Sequence, residues 1–332
     1  VVLDERRQIA RVVFPHQTLD FAQQEGDSLE ADLRRRDFTI NAIAYNLHQD
    51  SLVDPLGGVK DLAQSSLTMI SEQNLRDDPL RLLRAYRQAA QLNFAIEEQT
   101  RDTISSLAHL ITEVAAERVQ TELNYLLAGS DNQKWLKLAY QDNLLSLWLP
   151  SVTLAKLNLL GNVEPAAKLI CVSSQAELSL AKLACLVSAV PTEAREQLIN
   201  LKYSRAVINT VTKALEYLPQ LLAIETSPLS LKEQYFFFQG VGEVFPTLAI
   251  LAVASGVKQA EIAPLITAYL NPDDQKAHPT PLLTGKEIME YLNLPPSPKI
   301  GKLLTEIQLA RIEGKITNRE EALRYIQLTS PK

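Results

Sequence analysis

Cysteine is scarce in this 332-residue chain: there are two, Cys171 and Cys185, both in apolar helical surroundings. They read as buried reduced thiols rather than a disulfide or a metal pair. The four histidines are isolated and give no zinc-ligand spacing. No apolar run approaches the roughly 18 residues that span a bilayer, so no membrane partner is expected. The opening residues Val1-Val2-Leu3-Asp4-Glu5 lack the basic start and apolar middle of a signal peptide. The cytoplasm is therefore the default compartment. Met is absent from the first position, which falls inside an apparent strand, so the chain is expected to begin partway through a domain. Basic residues are outnumbered 33 to 39, a net charge of -6. Taken alone this disfavours a nucleic-acid partner. Charge is an average, however, and a local basic stripe on an acidic protein can hold RNA, because phosphate contacts act over short, screened distances.

What is present is ordinary globular composition, 46% hydrophobic and 22% charged, in a chain long enough for two to four packed units. The first 60 or so residues look different from the rest. Residues 1–4, 9–14 and 18–23 are short β-branched or alternating runs. Glu5-Arg6-Arg7-Gln8 and Pro15-His16-Gln17 separate them as tight turns, which predicts an antiparallel meander. A helix is expected from Ser28, capped by Asp27 or Ser28, with Glu30 and Asp32 at its positive end. Residues 38–47 read as further apolar helix, 52–55 as a short strand, and Gly57-Gly58 as a turn. From about Asp61 strand signals nearly vanish. Helical periodicity is expected over 79–94, 99–110, 115–127, 133–147, 154–160, 175–189, 192–201, 206–218, 231–239, 244–254, 259–270, 285–291, 300–313 and 318–326. The fold class is thus α+β: a small sheet-bearing piece leading into a long all-helical body.

Three stretches carry chemistry. In Arg34-Arg35-Arg36-Asp37-Phe38-Thr39-Ile40-Asn41-Ala42, guanidinium forks and helix-start amides make a site for polyanions, and Asp37 can accept from a ribose hydroxyl. The structural alternative is that Asp37 or Thr39 caps a helix and the arginines are a solvated face. Asp54-Pro55-Leu56-Gly57-Gly58-Val59-Lys60-Asp61-Leu62 reads by itself as strand, turn and helix. In Arg76-Asp77-Asp78-Pro79-Leu80-Arg81-Leu82-Leu83-Arg84, Pro79 suits a first helical turn, with Asp77 or Asp78 at the cap. Asp78 and Arg81 share a face, open either to a ligand or to an internal salt bridge.

In this order and spacing the three stretches resemble class II tRNA nucleotidyltransferases and bacterial poly(A) polymerases. Residues 35–42 resemble the family's second motif, 54–62 its third, and 77–81 with Arg84 its nucleotide-selecting motif, usually Glu-Asp-x-x-Arg. Glu117-Arg118-Val119-Gln120-Thr121-Glu122-Leu123 resembles the fifth motif, and the segments from Leu283-Thr284-Gly285-Lys286 to Asn318-Arg319-Glu320-Glu321-Ala322 resemble the tRNA-contacting tail. The likeness is specific from about Leu19 to Leu127 and faint across 133–280.

The resemblance implies a seahorse-like protein: a remnant of a polymerase-β-like head over 1–62, a nucleotide-selecting neck over 63–130, a body over 131–280 and a tail over 281–332. It implies growth of the tRNA 3′ end from CTP and ATP without a nucleic-acid template. Arg35, Arg36, Asp37, Asn41, Asp78, Arg81 and Arg84 would bind the nucleotide, braced by Asp77, Glu117 and Arg118. Asp78 would accept from the amino group of cytosine or adenine while Arg81 donates to the ring nitrogen. Uracil and guanine present the opposite pattern, a mismatch that rejects strongly when buried. Asp77 stands where the family usually has Glu.

Two departures follow from the same resemblance. The Asp-x-Asp pair that holds two Mg²⁺ ions is expected upstream of Val1, so a chain starting there is expected to be inactive alone. Asp20, mid-strand and opposite in face to Leu19 and Phe21, would complete the catalytic metal site, unless it is an ordinary exposed strand residue. The second departure is a short connection, Gln23-Gln24-Glu25-Gly26-Asp27, in place of a long flexible segment. In the family this accompanies enzymes that add two cytidines and leave the adenosine to a separate A-adding partner. The enzymatic alternative is a poly(A) polymerase, disfavoured by the acidic balance; the non-enzymatic one is an RNA-binding relative without a metal site.

Overall fold

The computed structural model describes residues 2–4, 9–15, 17–129, 131–170 and 174–329. The expected turn at 5–8, His16 and Cys171 lie outside them. Two compact units divide the chain, Val1–Trp148 and Leu149–Lys332. The architecture is α+β, with small sheets confined to the first unit.

The first unit opens on the antiparallel meander β1 (Val2–Asp4), β2 (Ile9–Val13) and β3 (Thr18–Ala22). Its register sets Arg11 directly opposite Asp20. Helix α1 (Leu29–Arg34) starts where expected, because Ser28 Oγ accepts from the Ala31 amide at 3.1 Å.

The helix expected over 38–47 does not form. Phe38 is extended and bridges Met69, and Thr39–Asn41 makes a single 3₁₀ turn. The chain then enters the hairpin β4 (Ala44–Asn46) and β5 (Ser51–Val53). The reason is local. Asn46 Oδ1 accepts from the His48 and Gln49 amides, and Asp50 takes φ 49°, so a side-chain-capped turn outcompetes helical periodicity.

After α2 (Gly58–Ala63) comes a second correction: strands persist past Asp61. Here β6 (Ser66–Leu67) pairs in parallel with β7 (Ala95–Ile96), too briefly to leave a periodic signal. Between them lie α3 (Glu72–Asp77), which periodicity missed, and α4 (Leu80–Leu92). Asp77 therefore ends one helix instead of capping the next, Asp78 is the residue after that helix, and Pro79 leads into α4.

Next come α5 (Glu98–Leu107), α6 (Ala116–Ala128) and α7 (Asn132–Gln141). Helix α7 stops short of the expected Leu147, since Asn143 adopts φ 62°. Helix α4 packs on α6 and α7. Its inward face, Leu82, Leu83, Tyr86 and Ala89, is buried. The Tyr86 hydroxyl donates to Asp142, whose carboxylate also accepts from Arg101 Nε at 2.8 Å and Nη2 at 3.0 Å.

The second unit is entirely helical among its described residues. It comprises α8 (Leu154–Gly161), α9 (Val163–Ile170), α10 (Gln175–Leu186), α11 (Pro191–Asn200), α12 (Arg205–Leu222), α13 (Leu231–Val241), α14 (Phe245–Ala254), α15 (Gln259–Leu270), α16 (Gly285–Leu292), α17 (Pro298–Ile312) and α18 (Arg319–Thr329). Helix α9 was not legible from periodicity, and α10 ends at Leu186 where 189 was expected. Helix α14 is apolar around nearly its whole circumference and buried along it, with α9, α10 and α12 packed about it.

The expectation that no stretch is apolar enough to cross a membrane is corrected. Leu231–Ala254 qualifies by length and composition, though 61% of its apolar window is buried inside the protein. A separate small core at the C-terminal end gathers Leu283, just ahead of α16, with Ile288 of α16, Ile300, Leu303 and Ile307 of α17, and Ala322 and Ile326 of α18. Arg319 Nε ties α18 to Glu287 of α16 at 3.0 Å.

Candidate nucleotide-binding site

The arginine turn that ends α1 is fixed by its neighbours. Arg35 Nη2 and Nε each lie 3.1 Å from Asp32 Oδ1, and Arg35 also pairs with Glu25. Arg36 reaches Asp32 Oδ2 at 3.4 Å and the Asn41 carbonyl at 3.0 Å. The Glu25 amide donates to Asp32 Oδ1 at 3.1 Å, so one carboxylate holds both the arginines and the connection that precedes α1. Burial pushes the Asp32 carboxyl up, but the Glu25 amide and the two guanidinium groups outweigh it, and it titrates below the usual carboxylate range. Arg35, Arg36 and Arg81 line one cavity of about 400 Å³, together with Asp32, Leu29 and the 22–25 stretch.

Beneath the turn, Asp37 is buried. Its Oδ1 accepts from the Phe38 amide at 2.9 Å and from Asn41 Nδ2 at 2.8 Å, and Asn41 also donates to Gln88 at 2.9 Å. Arg84 Nε lies 3.1 Å from Asp37 Oδ2, close enough to pair as ions. It is not aligned as a hydrogen bond, so both buried atoms keep unused capacity. The glycine turn locks onto this region. Asp54 accepts from the Gly58 amide at 2.8 Å and the Val59 amide at 2.9 Å, and Thr39 Oγ1 donates to Asp61 at 2.6 Å. A Cβ on Gly58 would lie 2.2 Å from the Thr39 carbonyl oxygen, so only glycine permits the approach.

Asp78 and Arg81, the pair expected to select the nucleotide, each bond elsewhere. Asp78 Oδ2 accepts from Arg118 Nη2 of α6 at 2.9 Å. Arg81 Nη1 instead donates to the backbone carbonyls of Arg35 at 3.0 Å and Asn74 at 2.9 Å. Asp77 accepts from Gln73 at 2.7 Å, and Glu117 is exposed in the first turn of α6 with its backbone carbonyl accepting from Thr121. Neither lines the cavity. Asp20 stands apart as well. Arg11 Nε and Nη2 donate to its two carboxylate oxygens at 2.6 and 2.8 Å, and this guanidinium holds the carboxyl below its ordinary range. Among the described residues no three His, Cys, Asp or Glu side chains come together to hold a metal ion. These residues therefore do not by themselves fit a two-metal site.

Sequence reasoning missed Asp32 as a ligand-shaping group, Asn74 and Gln88 altogether, and the Arg87–Glu122 pair joining α4 to α6. Asp32 gave a signal as an acidic residue in a first helical turn, and Arg87 and Glu122 were placed by helical register and motif, but not as a pair.

The chain matches three protein families in succession. Residues 5–68 match the poly A polymerase head domain, 93–156 the probable RNA- and SrmB-binding site of polymerase A, and 173–326 the tRNA nucleotidyltransferase domain 2. It is 48% identical to the CC-adding tRNA nucleotidyltransferase of Synechocystis sp., covering 98% of this chain and 82% of that protein. It is 32% identical to the CC-adding tRNA nucleotidyltransferase of Geobacter sulfurreducens, covering 99% of this chain and 83% of that one. The crystal structure of the Bacillus stearothermophilus CCA-adding enzyme in complex with CTP has the same fold. It superposes with a TM-score of 0.75 at 21% identity, over 99% of this chain and 83% of its own. The motif order, the helical architecture and the near full-length identity to two such enzymes place this chain in the class II tRNA nucleotidyltransferase family.

Proposed function

We propose that the protein adds two cytidines to the 3′ end of tRNA from CTP, without a template, and stops there. The observation that carries the stop is the connection between β3 and α1. It is short, and Asp32 and Arg35 hold it at Glu25. A pocket that must widen from a pyrimidine to a purine needs a part that moves, and a tethered connection of this length supplies none. The 48% identity to a CC-adding enzyme supports the same reading.

Base choice falls to Asp78 and Arg81. Arg118 engages Oδ2 of Asp78, leaving Oδ1 to accept from the cytosine amino group. Arg81 spends Nη1 on two backbone carbonyls and offers its remaining N–H groups to the ring nitrogen. Arg35 and Arg36 take the triphosphate, exchanging their carboxylate partners for phosphate oxygens. The unused capacity of Asp37 Oδ2 and Arg84 suits a ribose hydroxyl, with Asn41 holding Asp37 in place. Arg118 braces Asp78 directly, whereas Asp77 bonds Gln73 and Glu117 lies exposed on α6.

Phosphoryl transfer of this type draws on Mg²⁺, and a role for Asp20 as catalytic metal ligand requires its carboxylate to leave Arg11. The same reading assigns residues 1–62 to a head, 63–130 to a neck, 131–280 to a body and 281–332 to a tRNA-contacting tail. ATP enters as the substrate of a separate A-adding enzyme acting on the product. A cytoplasmic setting fits the buried free thiol of Cys185. The test is to supply CTP and ATP with tRNA lacking its last three residues and read product length. Two added residues fit the proposal, and three refute the stop.

A further inference from the structure

We infer that Asn74, outside the nucleotide-selecting motif, is a positioning residue for Arg81; the inference rests on the proposed role of Arg81 in reading the base. Asn74 is buried in α3, where Ser71 Oγ accepts from its amide at 3.2 Å. Its side-chain nitrogen donates one hydrogen to the Arg34 carbonyl and the other to the Arg36 carbonyl, both at 2.7 Å. Those carbonyls belong to the end of α1, where helical geometry leaves backbone oxygens without partners. Between them sits the Arg35 carbonyl, which accepts from Arg81 Nη1 at 3.0 Å. The Asn74 backbone carbonyl accepts from the same Nη1 at 2.9 Å. One residue thus clamps the turn on both sides of the carbonyl that Arg81 uses, and supplies the second carbonyl itself.

The chemistry requires an amide at this position. Two carbonyls need two hydrogens from one planar group, which Asn provides and its isostere Asp, ionised, does not. Aspartate would set a negative charge against two carbonyl oxygens and push the turn away. Arg81 would then lose the geometry of one anchor and keep the other. A loosely held arginine can swing toward the carbonyl oxygens of uracil, so it no longer penalises the wrong base. The effect of Asn74 therefore falls on selectivity, not on tRNA binding.

The experiment measures kcat and KM for CTP and UTP incorporation into tRNA lacking its terminal residues, using the full-length gene product. The variants are Asn74→Asp, Asn74→Ser and, as reference, Arg81→Ala. Asn74→Asp is expected to lower the CTP/UTP ratio of kcat/KM by about tenfold, equivalent to ~1.4 kcal/mol, with KM for tRNA unchanged. Asn74→Ser keeps one donor and is expected to fall between Asn74→Asp and the unaltered protein; it carries the test if Asn74→Asp does not fold. If Arg81→Ala lowers the ratio while the Asn74 variants retain it, whatever their overall rate, Asn74 is merely structural and the inference is overturned. If Arg81→Ala itself retains the ratio, the base-reading role fails first and the inference goes with it.

Discussion

Arg118 of α6 reaches Asp78, ahead of α4, across 2.9 Å, joining residues 40 positions apart in the chain. The carboxylate proposed for base choice is therefore held by α6 and not by its own motif. Arg118→Ala is expected to release Asp78 and weaken CTP use, with less effect than loss of Asp78 itself.

Asp78→Ala and Arg81→Ala should both lose discrimination against UTP and GTP and lower CTP use, while tRNA affinity stays nearly constant. Each removes one partner of a two-point pairing, worth about 1–3 kcal/mol when the other is left unpaired. Steady-state incorporation with each nucleotide checks this. Unchanged CTP preference in both variants would mean that the pair serves only the fold.

The stop after two cytidines has its own test. Full-length protein given tRNA ending in CC and ATP alone should add no adenosine at a useful rate. A steric mismatch of several kcal/mol in the transition state suffices, since each ~1.4 kcal/mol is tenfold in rate. Efficient addition would show a complete CCA-adding or an A-adding enzyme, and CTP with a tRNA lacking all three residues separates those two.

Asp142 links Tyr86 of α4 to Arg101 of α5 in the first unit. Asp142→Ala should leave the buried Tyr86 hydroxyl unpaired and strip Arg101 of its carboxylate, leaving it the longer bond to Gln141, costing about 1–3 kcal/mol after allowing for solvent around Arg101. Both tryptophans, Trp135 and Trp148, belong to this unit. Tryptophan emission during urea unfolding therefore reports it selectively, and an unshifted midpoint would rule out the linkage.

Cys185 gives a pH prediction. Burial pushes its thiol up to about 12, against a weaker downward pull from Lys156. The folded protein keeps this proton where the unfolded chain, with an ordinary thiol, releases it. Stability from this group is thus intact below the ordinary thiol pKa, near 9, and falls as pH rises from there toward 12. In a Cys171→Ser background, alkylation at pH 8 should be negligible until denaturant is added. Rapid labelling of the native protein would contradict the burial.

Much of this was legible in the sequence. The period of Leu80, Leu83, Arg87 and Ala90 announced α4 to within two residues at either end, and Ser28 announced the start of α1. Local chemistry determines such features. The motif residues were legible as types, but their partners were not. Arg118 with Asp78, and Asn74 with the arginine turn, depend on contacts 38 to 40 residues apart that no period encodes. The failure at 38–47 has a different cause. Its apolar residues fit a helix, but a side-chain-capped turn at Asn46 and pairing with Ser51–Val53 gave the backbone a better set of hydrogen bonds.

The burial of α14 on nearly all sides also bears on synthesis. The helices that sheathe it from the N-terminal side, α9, α10 and α12, leave the ribosome first. Until residues 245–254 follow, the faces of these helices that pack on α14 stay open, although α10 already packs on α8, α9 and α12. The second unit therefore cannot be completed one helix at a time, and a chain that has yet to add α14 exposes apolar surface of the kind that favours association.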